Sequence, residues 1–378
     1  MSALLPNIDP NGLLEYSVVY TDRALNHMSA KFQTAMCDIS ALLKHVYHAD
    51  AVAIVPGSGT SGMEAVARQL ARGQKCLVVR NGFFSFRWSQ ILEMGNIGHD
   101  VVVMKARQVQ SNNKHMPFAP APIEEVVSAI ERERPALVFA PHVETAAGLL
   151  LPDDYIRRLA EATHAVGGLL VIDCIASGAL WLNMQDLGID VLISAPQKGW
   201  SGSPCCGLIM LNQAATDRVE ATQSDSFDLD LKKWLQIMRA YENGGHAYHA
   251  TMPTDSLIVL RQVIQEAQHI GFNALKTAQQ QLGQAVRALL AEYGFESVAA
   301  DGFASPSVVV CYTDKPEIQS GKLFAQHGLQ IAAGVPLQVD EPADFQSFRI
   351  GLFGLDKLQN IPRTVDLLRQ ALAEITQK

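Results

Sequence analysis

No apolar run in the 378 residues approaches the ~20 needed to span a bilayer. Basic residues are the minority, 30 Lys and Arg against 38 Asp and Glu, for a net charge of −8. That balance argues against a nucleic acid or an anionic membrane as the main partner, since both require basic patches. The six cysteines form no C-x-x-C pair, and the eleven histidines form no H-E-x-x-H. A zinc site or a metalloprotease helix therefore has little to build on. We read the thiols as reduced, several of them buried as small apolar groups, in a cytoplasmic protein. The opening MSALLPNIDP lacks a basic segment followed by an apolar one, so no secretory signal is expected. The closing ITQK matches no peroxisomal or ER-retention signal. Disorder, collagen and coiled coil are excluded by a composition that is 48% apolar and 18% charged. A chain of this length makes two or three domains and buries a core without staples.

The first half alternates apolar runs with helical patterns. AVAIV (51–55), KCLVVR (75–80), HDVVVMK (99–105), ALVFAPH (136–142), LLVID (169–173) and DVLISA (190–195) read as strands. GMEAVARQLARG, FSFRWSQILEMG, IEEVVSAIERER and DDYIRRLAEATHAVGG between them read as helices. Continuous Val/Ile/Leu strands separated by helices predict a mostly parallel sheet covered on both faces, an α/β domain. CGLIMLN (206–212) adds a strand whose direction the pattern leaves open. Beyond residue 255 a long helical stretch precedes SPSVVVCYT, LQIAAGV and FQSFRIGLFG, read as strands, and a final helix, which suggests a smaller α+β unit. The expected division is an N-terminal arm (1–20), a large domain (21–270) and a small C-terminal domain (271–378).

Three motifs carry chemistry. PGSGTSG (56–62) follows a strand and opens a helix, where backbone N–H groups and the Ser58 and Thr60 hydroxyls can hold an anion. Through Gly57, Gly59 and Gly62 it also matches the dinucleotide fingerprint G-x-G-x-x-G. The acidic residue that fingerprint expects at the next strand end is replaced by Arg80, which keeps an NADP reading open. A plain turn is an equal alternative for so short a motif. Asp173 closes LLVID at a strand end, where it can hold a protonated ring nitrogen or simply cap a turn. Lys198, in SAPQKGWSG, lies among small and apolar residues, where an amine can lose its proton and act as a nucleophile. An anion cradle, a carboxylate for a pyridinium and an amine, on successive strand ends, are together the parts of a pyridoxal 5′-phosphate site.

With PGSGTSGMEA, NGFFSFR, HVETAAG, VIDCIASG with GIDVLISAPQK, YHATMP and FRIGLFG in this order, the chain resembles the class V aminotransferases of fold type I, on the alanine–glyoxylate and serine–pyruvate side. The resemblance runs from about residue 50 to 355. It implies a large domain with a mostly parallel sheet between helices, a smaller C-terminal domain and pyridoxal 5′-phosphate as cofactor. Lys198 then matches the Schiff-base lysine and Asp173 the partner of the pyridine nitrogen. Ser58, Gly59, Thr60 and Gln197 match phosphate contacts. Phe84 matches the aromatic that stacks on the ring, Ile175 the apolar residue on its other face, and Thr145 the donor to the ring oxygen. Tyr248 and Thr251 match residues that reach the phosphate of a neighbouring subunit, which implies a homodimer with shared sites. Arg349 matches the arginine for the substrate carboxylate, a role suited to its planar fork. The implied activity is ping-pong transfer of an amino group from a small amino acid to glyoxylate or pyruvate.

One segment departs from the pattern. The Gly-Pro-rich loop that lines the pocket in that branch is missing, and Tyr16, Tyr20 and Arg23 stand in its region. A lyase of cysteine-desulfurase type is a competing reading. It expects histidines where this chain has Phe84 and Gln197. The NADP oxidoreductase leaves Lys198, Asp173 and Arg349 without a joint purpose.

Overall fold

A computed structural model describes residues 8–376 of the chain. The first seven residues of the expected N-terminal arm and the last two of ITQK lie outside the described residues.

Seven strands form the main sheet: β1 (Ala51–Pro56), β2 (Lys75–Arg80), β3 (His99–Lys105), β4 (Leu137–Pro141), β5 (Leu169–Asp173), β6 (Val191–Ser194) and β7 (Cys206–Leu211). Their order across the sheet is β1-β7-β6-β5-β4-β2-β3. β7 is antiparallel to both of its neighbours, and the remaining pairs are parallel. This settles the direction of CGLIMLN. The strands β4 to β7 are buried along their whole length, which is why they are written in Val, Ile and Leu without polar alternation. Edge strand β3 is half exposed, and it alternates less apolar surface with His99, Asp100 and Lys105.

The helices α1 (Ala30–Tyr47), α2 (Gly59–Leu70), α3 (Phe83–Met94), α4 (Ile123–Glu133) and α5 (Asp153–Ala165) cover the sheet. Helix α2 lies so close to β7 that a Cβ on Gly207 would sit 2.7 Å from the Gly62 Cα. Helix α3 is pinned to β4 by Trp88, stacked on Phe139 at 4.3 Å between ring centroids.

The long helical stretch is two helices, Thr254–Ile270 and Phe272–Glu292. The break is Gly271, at φ +101°, a conformation that side chains rarely adopt. The first helix packs on α1, the second on a three-stranded sheet made of β8 (Val308–Tyr312), β9 (Ala332–Ala333) and β10 (Ser347–Gly351). Of LQIAAGV, then, two residues are strand, paired at the exposed edge of β10. We propose Gly271 as the seam between a large and a small domain. Among the described residues no helix is long and apolar enough to cross a membrane.

Candidate active site

The carboxyl ends of the parallel strands, with the loops beyond them, wall a cavity of about 200 Å³. Its lining includes Ser58, Gly59, Thr60, Phe84, Thr145, Asp173, Ile175, Gln197 and Lys198. These residues come from five separate stretches of chain, and open α/β sheets bind ligands at such strand ends.

The cradle at the start of α2 is built by local rules. Gly57 turns the chain at φ +116°. Ser58 caps the helix: its Oγ accepts from Ser61 N at 3.3 Å, and Ser61 Oγ accepts from Ser58 N at 3.1 Å. A first helical turn leaves N–H groups without intrahelical partners, so those of Gly59 and Thr60 offer donors to an anion. A Cβ on Gly59 would come 2.5 Å from Ile175 Cδ1, so only glycine lets the helix start approach that side chain undisturbed. Arg87 donates to Thr60 Oγ1 at 2.8 Å, adding a cation beside the cradle.

Asp173 ends β5 and is 7% exposed. One oxygen accepts from Ile175 N at 2.9 Å, and the other has no donor among the described residues. Burial pushes its pKa up to about 6, helped by the charge of Glu144 and opposed by Lys198 and Arg87. Lys198 follows β6, with its Nζ 4.8 Å from the centre of the Phe353 ring. Burial lowers the pKa of its amine, Arg349 and Arg87 add to the shift, and Asp173 opposes it. Gly199 is required beside it, because a Cβ there would strike the Gly178 carbonyl at 2.2 Å.

Arg349, on β10, is buried and donates from Nε to the Ala333 carbonyl at 2.8 Å. Its guanidinium carbon sits 5.5 Å from the centre of the Phe84 ring, which Arg87 also approaches, at 5.2 Å. No carboxylate lies within ion-pair distance of Arg349 among the described residues, so the side chain can receive one from a substrate.

Tyr248 and Thr251 do not join this cavity. Tyr248 is 53% exposed, and its hydroxyl bonds to the exposed Thr251 at 3.0 Å. Of the residues in the N-terminal region, Tyr16 is exposed and Tyr20 donates to the Met252 carbonyl at 3.1 Å, so neither lines the cavity within one chain.

Two functional groups escaped the sequence reading. Arg87 belongs to NGFFSFR, and its spacing of one helical turn from Phe84 was the available signal. Glu144 belongs to HVETAAG. It is wholly buried and accepts four hydrogen bonds: Phe84 N (3.2 Å) and Ala146 N (2.9 Å) on Oε1, Ser85 N (2.9 Å) and Ser85 Oγ (2.7 Å) on Oε2. It thereby ties the start of α3, which carries Phe84 and Arg87, to the loop that carries Thr145.

The NADP reading fails on topology. A dinucleotide fold needs the glycine loop and the ribose-reading residue on adjacent strands. Here β1 and β2 are five strand spacings apart, roughly 24 Å. Arg80 is engaged with Ser89 Oγ and the Gln338 carbonyl instead.

The family described as Aminotransferase class-V matches residues 13–336. The chain belongs to the class V aminotransferases. Within the family it is 26% identical to rat alanine–glyoxylate aminotransferase, over 93% of this chain and 82% of that one. It is 28% identical to the 2-aminoethylphosphonate–pyruvate transaminase of Vibrio parahaemolyticus, over 84% and 83%. A protein described as the small subunit of a soluble hydrogenase, from Synechococcus, is 25% identical over 93% and 88%. The crystal structure of a Nostoc alanine–glyoxylate aminotransferase superposes with a TM-score of 0.75 at 22% identity, covering 90% of this chain and 87% of that chain, and shares the fold. The expected architecture, a fold-type I transferase with a mostly parallel sheet between helices, is the one found.

Proposed function

We propose that this class V aminotransferase binds pyridoxal 5′-phosphate in the 200 Å³ cavity and moves amino groups from a small amino acid to glyoxylate or pyruvate. The observation that carries the reading is the convergence in one cavity of an anion cradle, a buried carboxylate with a free oxygen and a desolvated lysine. The residues fit the cofactor at each end. Ser58, Gly59, Thr60 and Gln197, with Arg87 beside them, are the donors for its phosphate. The vacant Asp173 oxygen suits a protonated ring nitrogen. Phe84 and Ile175 offer faces for the ring, and Thr145 a hydroxyl for its oxygen.

When bound, the cofactor supplies an electron sink that acidifies the α-carbon of an attached amino acid. Arg349 holds the substrate carboxylate, which fixes that carbon in the site. Lys198 has an amine made more readily neutral by burial and by two nearby guanidinium groups. With its amine free in the cavity, Lys198 would take the α-proton at Nζ and return a proton in the reverse half-reaction. Asp173 would hold the proton of the ring nitrogen with its carboxylate charge, and a cation there would oppose the burial that raises its own pKa. Glyoxylate and pyruvate are favoured as acceptors because two relatives are named for them.

We further place the enzyme in the cytoplasm, in keeping with its six free thiols, and as a homodimer. Tyr248 and Thr251, outside their own cavity, would serve the partner's. The test is a panel of amino donors with glyoxylate and pyruvate, using the yellow protein as isolated. Transamination with at least one pair, lost in Lys198→Ala along with the borohydride-sensitive visible band, supports the reading. A colourless protein that takes up no pyridoxal 5′-phosphate overturns it.

A further inference from the structure

Behind the catalytic cavity lies a second, larger one of about 500 Å³, between the large domain and the helix Phe272–Glu292. His142 and Val143 are neighbours in sequence, yet His142 lines this crevice and Val143 lines the catalytic cavity. The wall between the two sites is therefore one layer of chain. The His142 backbone N–H donates to the Asp173 carbonyl at 2.8 Å.

One face of the helix provides the opposite wall. Lys276, Gln280, Gln284 and Arg287 recur at steps of four, four and three, so they share a stripe. Lys276 and Arg287 bracket the stripe, about 16 Å apart along the axis. Neither cation has a carboxylate within ion-pair distance among the described residues. Arg287 is half-buried, held by the Ser305 carbonyl at 2.5 Å and by Ser297 Oγ at 3.2 Å. Burial lowers its pKa, opposed by Cys311 and by no carboxylate.

His142 is 2% exposed, and its Nδ1 is 2.7 Å from Ser177 Oγ. Its other ring nitrogen has no protein partner among the described residues. Burial and the Lys276 charge push its pKa down to about 3, so the ring is neutral at pH 7 and offers a hydrogen bond rather than a charge. The acidic residue on the lining is Asp153, exposed in the first turn of α5, whose dipole it complements. The floor between the charges is apolar, from Leu150, Leu180 and Leu182. Two cations without carboxylate partners at the ends, amides between them and a buried imidazole with one unpartnered nitrogen describe a receptor for anions, in a volume ordinary for small-ligand sites.

We propose that this crevice is a second ligand site, for a short organic acid carrying oxyanion groups, carboxylate or phosphoryl, at both ends. Its occupant would contact the strand end next to Asp173 without entering the catalytic cavity.

Binding is measured by calorimetry on the full chain loaded with pyridoxal 5′-phosphate, so that the phosphate cradle is filled. The probes are dicarboxylates from malonate to adipate, and phosphonoacetate as the phosphoryl arm, with inorganic phosphate as its single-anion control. One probe should bind at one site per chain. Lys276→Gln should weaken it about tenfold, the worth of one charge-assisted hydrogen bond, while Lys276→Arg retains it. Arg349→Ala should leave it unchanged, which separates the crevice from the substrate site. Absence of binding in the unaltered protein, indifference to Lys276→Gln, or loss in Arg349→Ala would each overturn the proposal. None of these outcomes depends on which amino acid the enzyme uses.

Discussion

Replacing Glu144 probes a carboxylate that touches neither end of the proposed reaction. Its oxygens are acceptors for four donors, three of them backbone N–H groups. Glu144→Ala strands those three in a site with no exposure. The Ser85 hydroxyl is spared, since it already reaches the Gly82 carbonyl at 3.0 Å. A buried unsatisfied donor costs about 1–3 kcal/mol, and the three are not additive, so the loss should be about 3–5 kcal/mol. Glu144→Gln is the sharper probe. The amide keeps one acceptor oxygen and puts an NH2 group at the other. Facing Phe84 N and Ala146 N, that NH2 would meet two donors. Facing Ser85, it meets one backbone donor and a hydroxyl whose proton can turn away to the Gly82 carbonyl. The second orientation should win and cost about 1–3 kcal/mol, one stranded N–H. The ranking is then Glu144, Gln, Ala. Urea midpoints at unchanged slope measure it, provided unfolding shows a single transition. Turnover should fall further than this loss of stability explains, because Phe84, Arg87 and Thr145 all hang on the segments that Glu144 joins. Glu144→Gln with unaltered midpoint and unaltered turnover would refute the reasoning.

Asp173→Asn should abolish most turnover while stabilising the cofactor-free protein at neutral pH. The folded pKa of about 6 exceeds the ordinary 3.8, so the folded state favours the protonated form. That contribution is whole below 3.8 and is lost as pH rises through about 6, roughly 3 kcal/mol in all. Unfolding titrations of the cofactor-free protein across this window check the sign, and a variant no more stable than the parent at pH 7 contradicts it. Gly207→Ala drives a methyl to within 2.7 Å of the Gly62 backbone. It should push α2 outward, cost about 1–3 kcal/mol and weaken cofactor retention on dialysis. Lys198→Ala and a Tyr248/Thr251 double variant, each inactive, should regain activity when mixed and allowed to exchange subunits. Proven exchange without recovery would remove the shared site.

The inner strands of the main sheet were legible because their burial is complete, and the helices because one face of each is buried. A strand covered on both faces is apolar almost throughout, and LLVI and VLI are such runs, each closed by one polar residue, Asp173 and Ser194. The proposed site residues Asp173 and Lys198 were legible because each follows closely on such a run: Asp173 directly, and Lys198 four residues beyond Ser194 among mostly small and apolar neighbours. Spatial order was not. Periodicity says that β1 and β2 are strands, but not that four others lie between them, and the glycine motif alone could not separate a phosphate cradle from a dinucleotide fold. Glu144 was hidden for a related reason. A glutamate in a loop is ordinarily solvated, and this one becomes structural only because β4 and β2 are neighbours, which brings its loop against Gly82 and Ser85, the latter 59 residues earlier. A Cβ on Gly82 would lie 2.7 Å from Glu144 Cγ, so the glycine of NGFFSFR and the glutamate of HVETAAG occupy one space. Each motif reads as a separate signature along the chain. In the fold each completes the other, and the residues that do so are those whose neighbours the sequence cannot name.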